Sequence, residues 1–326
     1  MRFFLLFALL YGSLAARTVV EEHGALAVRG SAIVGSHGKP VSLAGPSFFW
    51  SQWQGHFWNE ACVGWLVRDW NASVIRAAMG VEAGGYLKNP ERERAKVERL
   101  VDAALKHGVY VIIDWHDHHA TRHAAESVAF FSAMARKYGD RPNVIYEIYN
   151  EPLEDSWSKD IKPYAEKVIA AIRAEDPDNL IIVGTPRWSQ NVDDAAKDPL
   201  QATNIAYALH FYAGTHKASL RAKAQAALDK GLALFVSEWG SCNANGDGAI
   251  DHQSTREWFD FIRQHHLSHC VWAVSDKREA ASLVVPRAPR KGGWRDEHLT
   301  ESGRLARSLI REWQVVKKDE EPGTKD

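Results

Sequence analysis

Two glutamates close apolar runs in this chain. Glu151 ends Val144-Ile145-Tyr146-Glu147-Ile148-Tyr149-Asn150-Glu151-Pro152, and Glu238 ends Leu234-Phe235-Val236-Ser237-Glu238. Proline has no N–H to give a ladder, so Pro152 marks the first run as a strand that stops there. Two carboxyl groups facing one another across a cleft are what acetal hydrolysis needs. One protonates the departing oxygen, and the other attacks the carbon or activates water. A single glutamate at a strand end is ordinarily an ion-pair partner. Two of them in aromatic, amide and imidazole company are expected to be catalytic.

That company can be named. Arg76 and Tyr212 are candidates to donate to Glu238 and keep it ionised in a desolvated cleft. Asn150 is placed to bond a sugar hydroxyl beside the reacting carbon, and His116 and His210 to bond others. Trp53, Trp188 and Trp272 are expected to stack on sugar faces, which present flat apolar C–H surfaces. The chain holds 13 Trp; Trp65, Trp70, Trp258 and Trp313 fall on helical spacing and are expected in the core. Glu147 lies four residues before Glu151, on the same strand face, and is expected to be a buried ion-pair partner inside the fold. A competing reading takes His116-Asp117-His118-His119 as the ligand run of a metal-dependent amidohydrolase. That chemistry wants further imidazoles near the first strand, where only aromatics stand. A carbohydrate-binding protein without catalysis would explain the tryptophans and not the glutamate pair.

The elements that position these residues follow from periodicity. Leu26–Val28 and Ala32–Val34 flank Arg29-Gly30-Ser31 as a short hairpin. Strands are then expected at Val41–Gly45, Ser73–Ala77, Val109–Trp115, the run from Val144, Leu180–Gly184, Ile205–Phe211, Ala233–Trp239 and Cys270–Ser275. Helical spacing covers Glu60–Trp70, Glu91–His107, Ala124–Tyr138, Ile161–Ala174, His216–Lys230, Thr255–His266 and Ser302–Trp313, with at most a short helix at Val192–Ala196. Eight strands alternating with helices specify a parallel α/β fold, and eight units favour the closed (β/α)8 TIM barrel. No glycine-rich phosphate loop follows any strand. The polar candidates cluster at the carboxyl ends of the strands, where barrel active sites form.

Composition sets the remaining bounds. Lys and Arg (40) balance Asp and Glu (41) over 326 residues, which points to neither nucleic acid nor a membrane surface. Arg2, the apolar run Phe3–Tyr11 and the small residues Ser13–Ala16 have the layout of a signal peptide over 1–16, so a secreted, extracellular protein is expected. Residues 17–314 would form the catalytic domain and 315–326 a disordered polar tail. Cys62, Cys242 and Cys270 are too few for a disulfide framework or a zinc site, and burial is the expectation for Cys62 and Cys270.

The motifs resemble glycoside hydrolase family 5. Ile148–Pro152 resembles the family's acid/base motif and Val236–Gly240 its nucleophile motif. Val74–Met79, Val111–His116, Ala208–Tyr212 and Trp272–Lys277 are similar to further family segments, in order, over Leu26–Trp313. The resemblance is to bacterial- and nematode-type endoglucanases. It implies a retaining enzyme on β-1,4-glucan, with Glu151 as acid/base and Glu238 as nucleophile; a monomer without cofactor is expected. It also implies glucose contacts from Trp53, His116, Tyr212, Ala244, Asn245, Trp272, Lys277 and Glu279, and no metal. A mannanase or xylanase of the same family is the nearest alternative. Phe49 stands where some members carry His, and Gly80 where some carry Tyr. Many relatives continue into a cellulose-binding module. Without one, soluble or amorphous glucan is the expected substrate.

Overall fold

The computed structural model describes residues 17–313. The signal peptide expected at 1–16 and the tail expected at 315–326 lie outside the described residues. An antiparallel hairpin, β1 (Ala27–Arg29) and β2 (Ala32–Val34), turns at Gly30. Eight parallel strands then close a barrel in chain order: β3 (Ala44–Phe48), β4 (Val74–Gly80), β5 (Tyr110–His116), β6 (Val144–Glu147), β7 (Ile181–Val183), β8 (Ile205–Tyr212), β9 (Leu234–Gly240) and β10 (His269–Val274), with β10 pairing back to β3.

The connecting helices begin and end on local signals. Asn59 accepts the Cys62 N–H at 3.0 Å and so caps Glu60–Trp70, which ends on left-handed Asn71. Pro90 opens Pro90–His107, and Gly108 at φ 65° closes it by donating to the carbonyls at the helix end. A five-residue helix, Val19–His23, precedes the hairpin and was not expected from periodicity. Its signal was local: a capping box between Thr18 and Glu21.

Apolar burial falls into three bodies. The largest lies between barrel and helices. The second fills the barrel floor, where Val74, Tyr110, Ile112, Ile145, Ile182 and Phe235 meet Leu26 and Ile33 of the hairpin region. The third is small and lies at the mouth, around Phe49, Tyr212 and Trp272. The hairpin therefore plugs the amino-terminal end, and only the carboxyl end is open to chemistry. Cys62, Cys242 and Cys270 are all free and buried.

Three strand expectations shift, the second barrel strand running to Gly80, three residues past the expected Ala77. The first barrel strand begins at Ala44, three residues late, because Val41 and Leu43 belong to the floor, with Val41 N–H bonded to Ile33 C=O. The fourth ends at Glu147, so Glu151 lies four residues beyond the ladder. Its segment still follows the neighbouring strand, since Asn150 N–H bonds Trp115 C=O and Glu151 N–H bonds Asp117 C=O.

Candidate active site

Glu238 comes from within β9 and Glu151 from the segment after β6, three places away in the ring of eight. Strand alternation should send Phe235 inward, Val236 outward, Ser237 inward and Glu238 outward. A bulge prevents this. Between Ala208 and His210 of β8, β9 runs from Phe235 to Glu238; between His269 and Val271 of β10, it runs from Val236 to Trp239. Both neighbours thus see one extra residue in β9, which turns Ser237 and Glu238 to the interior together.

Arg76 of β4, fully buried, organises the interior. Its Nε donates to Glu147 Oε2 at 2.6 Å, Nη1 to Glu238 Oε2 at 2.9 Å, and Nη2 to Asn150 Oδ1 at 2.6 Å, with Asp114 Oδ2 2.9 Å from Nη2. Every side of the guanidinium is taken by protein, so Arg76 positions the site and does not meet a sugar. Glu147 takes the ion-pair place expected of it. With its Oδ1 on Arg76, the Asn150 amide has its Nδ2 as the free donor, and that atom has no partner among the described residues. Removing one member of such a buried ion cluster costs about 3–5 kcal/mol, because the others are left unpaired.

Glu238 Oε1 accepts the Tyr212 hydroxyl at 2.8 Å. Burial and the charges of Glu238 and Glu151 hold the Tyr212 phenol well above its ordinary range, so it stays a donor. Burial, then the charge of Glu151, raise Glu238, while His210, Arg76 and Tyr212 oppose the rise. Burial likewise raises Asp114 well above the carboxylate range, and lowers His116 well below the ordinary imidazole value.

His210 departs from its expected part as a sugar contact. Its Nδ1 lies 3.0 Å from Glu151 Oε1 and its Nε2 2.9 Å from Ser237 Oγ. Ser237 spends its only proton on Glu147 Oε1 at 2.6 Å, so Nε2 must be the donor. Burial alone would lower this imidazole. Bonds to Glu147 and Glu151, and the Glu238 charge, outweigh that and push it up to about 9. His210 therefore orients Glu151, and both ring nitrogens are closed to substrate.

The remaining candidates line two cavities that meet at the glutamates. One, about 500 Å3, has Trp188, Gln190 and His216 on its far wall; the other, about 300 Å3, has Trp50, Trp53, Trp272, Lys277 and Glu279. Tyr212, Ala244 and Asn245 line both. Trp53 and Trp188 are 53% and 43% exposed, high enough to offer a face, whereas Trp272 is buried and stacks on the His116 ring at 5.0 Å. Phe49 packs on Trp272 at 5.1 Å. A side chain at Gly80 would fall on Gln52, which occupies that space. Gln190 and His216 were not singled out from sequence, and nothing local marks them.

The three imidazoles of the His116–His119 run take separate partners, although one oxygen each of Glu82 and Asp117 and a His119 nitrogen lie within 4.8 Å of one another. His116 Nδ1 pairs with Asp114 at 2.7 Å, His118 Nδ1 with Glu151 C=O at 3.2 Å, and His119 Nδ1 with Glu82 at 3.2 Å. One carboxylate oxygen of Glu151, one of Glu238 and a His210 nitrogen lie within 4.8 Å of one another. Glu238 in this trio also faces the Arg76 guanidinium at 2.9 Å, a fixed positive charge beside any cation.

Residues 34–278 match the cellulase family, glycosyl hydrolase family 5. Endoglucanase Z of Dickeya dadantii is 54% identical over 292 residues, 88% of this chain and 66% of the relative, so the chain spans just under two thirds of that protein. A solved structure from Cytophaga hutchinsonii is 51% identical and superposes with a TM-score of 0.91 over 92% of this chain and 99% of its own. The catalytic domain of an endoglucanase from Thermobifida fusca, solved as a variant in complex with cellotetraose, is 34% identical, with a TM-score of 0.87 over 90% and 100% of the two chains.

Proposed function

This chain belongs to the cellulase family, glycosyl hydrolase family 5, and on that footing we propose that it is an endo-β-1,4-glucanase that retains anomeric configuration. The observation that carries the reading is the carboxylate separation. Oxygens of Glu151 and Glu238 lie within 4.8 Å. Retaining enzymes hold the pair about 5–5.5 Å apart, while inverting enzymes leave about 6.5–9.5 Å for a water.

The roles divide by hydrogen bonding. Glu238 receives two donors, Arg76 and Tyr212, which favour its ionised form and aim it as nucleophile. It attacks the anomeric carbon while Glu151 gives its proton to the leaving oxygen, forming a glycosyl ester on Glu238. Glu151, now a base, takes a proton from water; the water attacks the same carbon and Glu238 departs. Arg76 and His210 face four carboxyls, Asp114, Glu147, Glu151 and Glu238, and burial raises Asp114 well above the carboxylate range, so Asp114 holds a proton beside them. The chemistry requires no cofactor, since the two glutamates supply both nucleophile and proton.

The Asn150 Nδ2 is the donor we assign to a sugar hydroxyl beside the reacting carbon, and Trp53 and Trp188 are the exposed platforms on either side. Cellotetraose in the T. fusca complex supports a glucan for this cleft. We further infer export of the chain, from the signal-like pattern of residues 1–16. Proton NMR of cellopentaose digestion is expected to show the β-anomer of the new reducing end first; the α-anomer first would sink the retaining assignment. Reducing-sugar release from carboxymethylcellulose should exceed that from mannan and xylan, and the reverse order would move the substrate within the family.

A further inference from the structure

Glu238 sits in a hydrogen-bonded strand, but Glu151 lies four residues past the end of β6 and must be held by something else. Three of its holds are carbonyl contacts in sequence. The Ser189 hydroxyl donates to Asn150 C=O at 2.7 Å, His118 Nδ1 lies 3.2 Å from Glu151 C=O, and the Trp188 N–H donates to Pro152 C=O at 2.9 Å. Two of the three come from one turn, Arg187-Trp188-Ser189.

That turn is strained. Arg187 (φ 58°), Trp188 (φ 56°) and Ser189 (φ 55°) are consecutive and all left-handed, and none is glycine. Every other non-glycine residue with positive φ among the described residues stands singly. Such strain persists only where surrounding contacts over-determine it. Here the contacts are specific: Ser189 is fully buried, its N–H bonds Thr185 C=O at 3.0 Å, its Oγ accepts the Thr185 N–H at 3.3 Å, and the Thr185 hydroxyl reaches Ala208 C=O at 3.2 Å. The same turn carries Trp188 into the cavity wall, with 43% of its surface exposed. The turn thus joins a cleft surface to the backbone on both sides of Glu151.

We propose that Ser189 is a positioning residue for the proton donor, and that the left-handed turn makes the aim of Glu151 depend on the Trp188 side of the cleft. This rests on the assignment of Glu151 as acid/base. A misaimed acid matters only when the leaving group needs a proton, which separates positioning from general damage.

The test compares two aryl β-cellobiosides, one releasing phenol, which needs protonation, and one releasing 2,4-dinitrophenolate, which does not. For Ser189→Ala, kcat/KM on the phenyl substrate is expected to fall about 10- to 100-fold, while the dinitrophenyl value stays within about twofold of the parent. Ser189→Gly is the second variant, because glycine adopts the left-handed backbone freely and deletes only the hydroxyl. It should give the same split even if the alanine variant folds poorly. Equal losses on both substrates in the folded variant, or no loss on either, overturn the proposal. Glu151→Gln is the reference and should show the same split more strongly. If Glu151→Gln itself shows no split, the acid/base assignment fails and this proposal falls with it.

Discussion

At the scale of single residues, the site works by giving each carboxyl a different set of neighbours. Tyr212 and Arg76 act on Glu238, and His210 on Glu151, so the two glutamates differ in environment although they are alike in chemistry. The Tyr212 bond is one of the forces lowering a Glu238 value that burial raises. Tyr212→Phe keeps the ring and deletes the donor, so the acid limb of kcat/KM against pH is expected to move to higher pH, with lower activity throughout. An unmoved limb would show that the hydroxyl does not tune Glu238. His210 gives a stability signature. Its folded value of about 9 lies above the ordinary 6.5. The stabilisation is therefore complete below about pH 6.5 and is lost as pH rises through about 9, amounting to a few kcal/mol at most. Urea midpoints should fall across that window in the parent and not in His210→Gln. Both glutamates were legible in the sequence because each interrupts an apolar run. The part played by His210 was not, because it depends on where Ser237 sends its one proton.

At the scale of elements, the decisive features are irregularities. The β9 bulge turns two consecutive side chains inward, where Ser237 joins Glu147 to His210 and Glu238 faces the cleft. Alternation read from sequence has no means of placing an extra residue, because the bulge is defined by the neighbours' registers. The left-handed turn at Arg187–Ser189 costs roughly 1–2 kcal/mol per residue, and its composition carries none of the glycine that usually announces such backbone. Gly184, just before it, is a quieter signal. A Cβ there would lie 2.2 Å from Tyr149 C=O and 3.0 Å from Pro152 Cδ, so the segment that carries Glu151 packs directly on that backbone. Gly184→Ala is expected to destabilise by about 1–3 kcal/mol, as overpacking does, and to lower kcat more than a comparable loss of stability elsewhere. Thermal unfolding alongside kcat on carboxymethylcellulose checks this; a variant with parental kcat would mean that the segment tolerates displacement.

At the scale of the whole molecule, the barrel separates stability from chemistry by its two ends. The hairpin and floor cluster close one end with apolar contact, and the polar network occupies the other. The open end is a cleft whose two cavities share the glutamates and carry an exposed tryptophan each. Trp53→Ala and Trp188→Ala should each raise KM for cellopentaose several-fold, consistent with about 1 kcal/mol of lost apolar contact, and leave KM for aryl cellobiosides less affected in one of the two. Equal effects on both substrates would mean that the platforms do not lie on opposite sides of the scissile bond. The alternation of strands and helices and the order of the barrel were already determined by the sequence, as was the candidacy of the two glutamates. Each follows from periodicity and from polar residues breaking it, which are properties of neighbours along the chain. Only the tertiary structure decided that Arg76, Asp114, Glu147, Asn150 and Glu238 form one buried cluster, that the two His210 ring nitrogens meet Glu151 and Ser237, and that a left-handed turn bonds the backbone on both sides of Glu151. Those outcomes depend on hydrogen bonds between residues brought together by barrel closure, on strand register and on backbone conformations that residue type disfavours, and none of these has a local imprint.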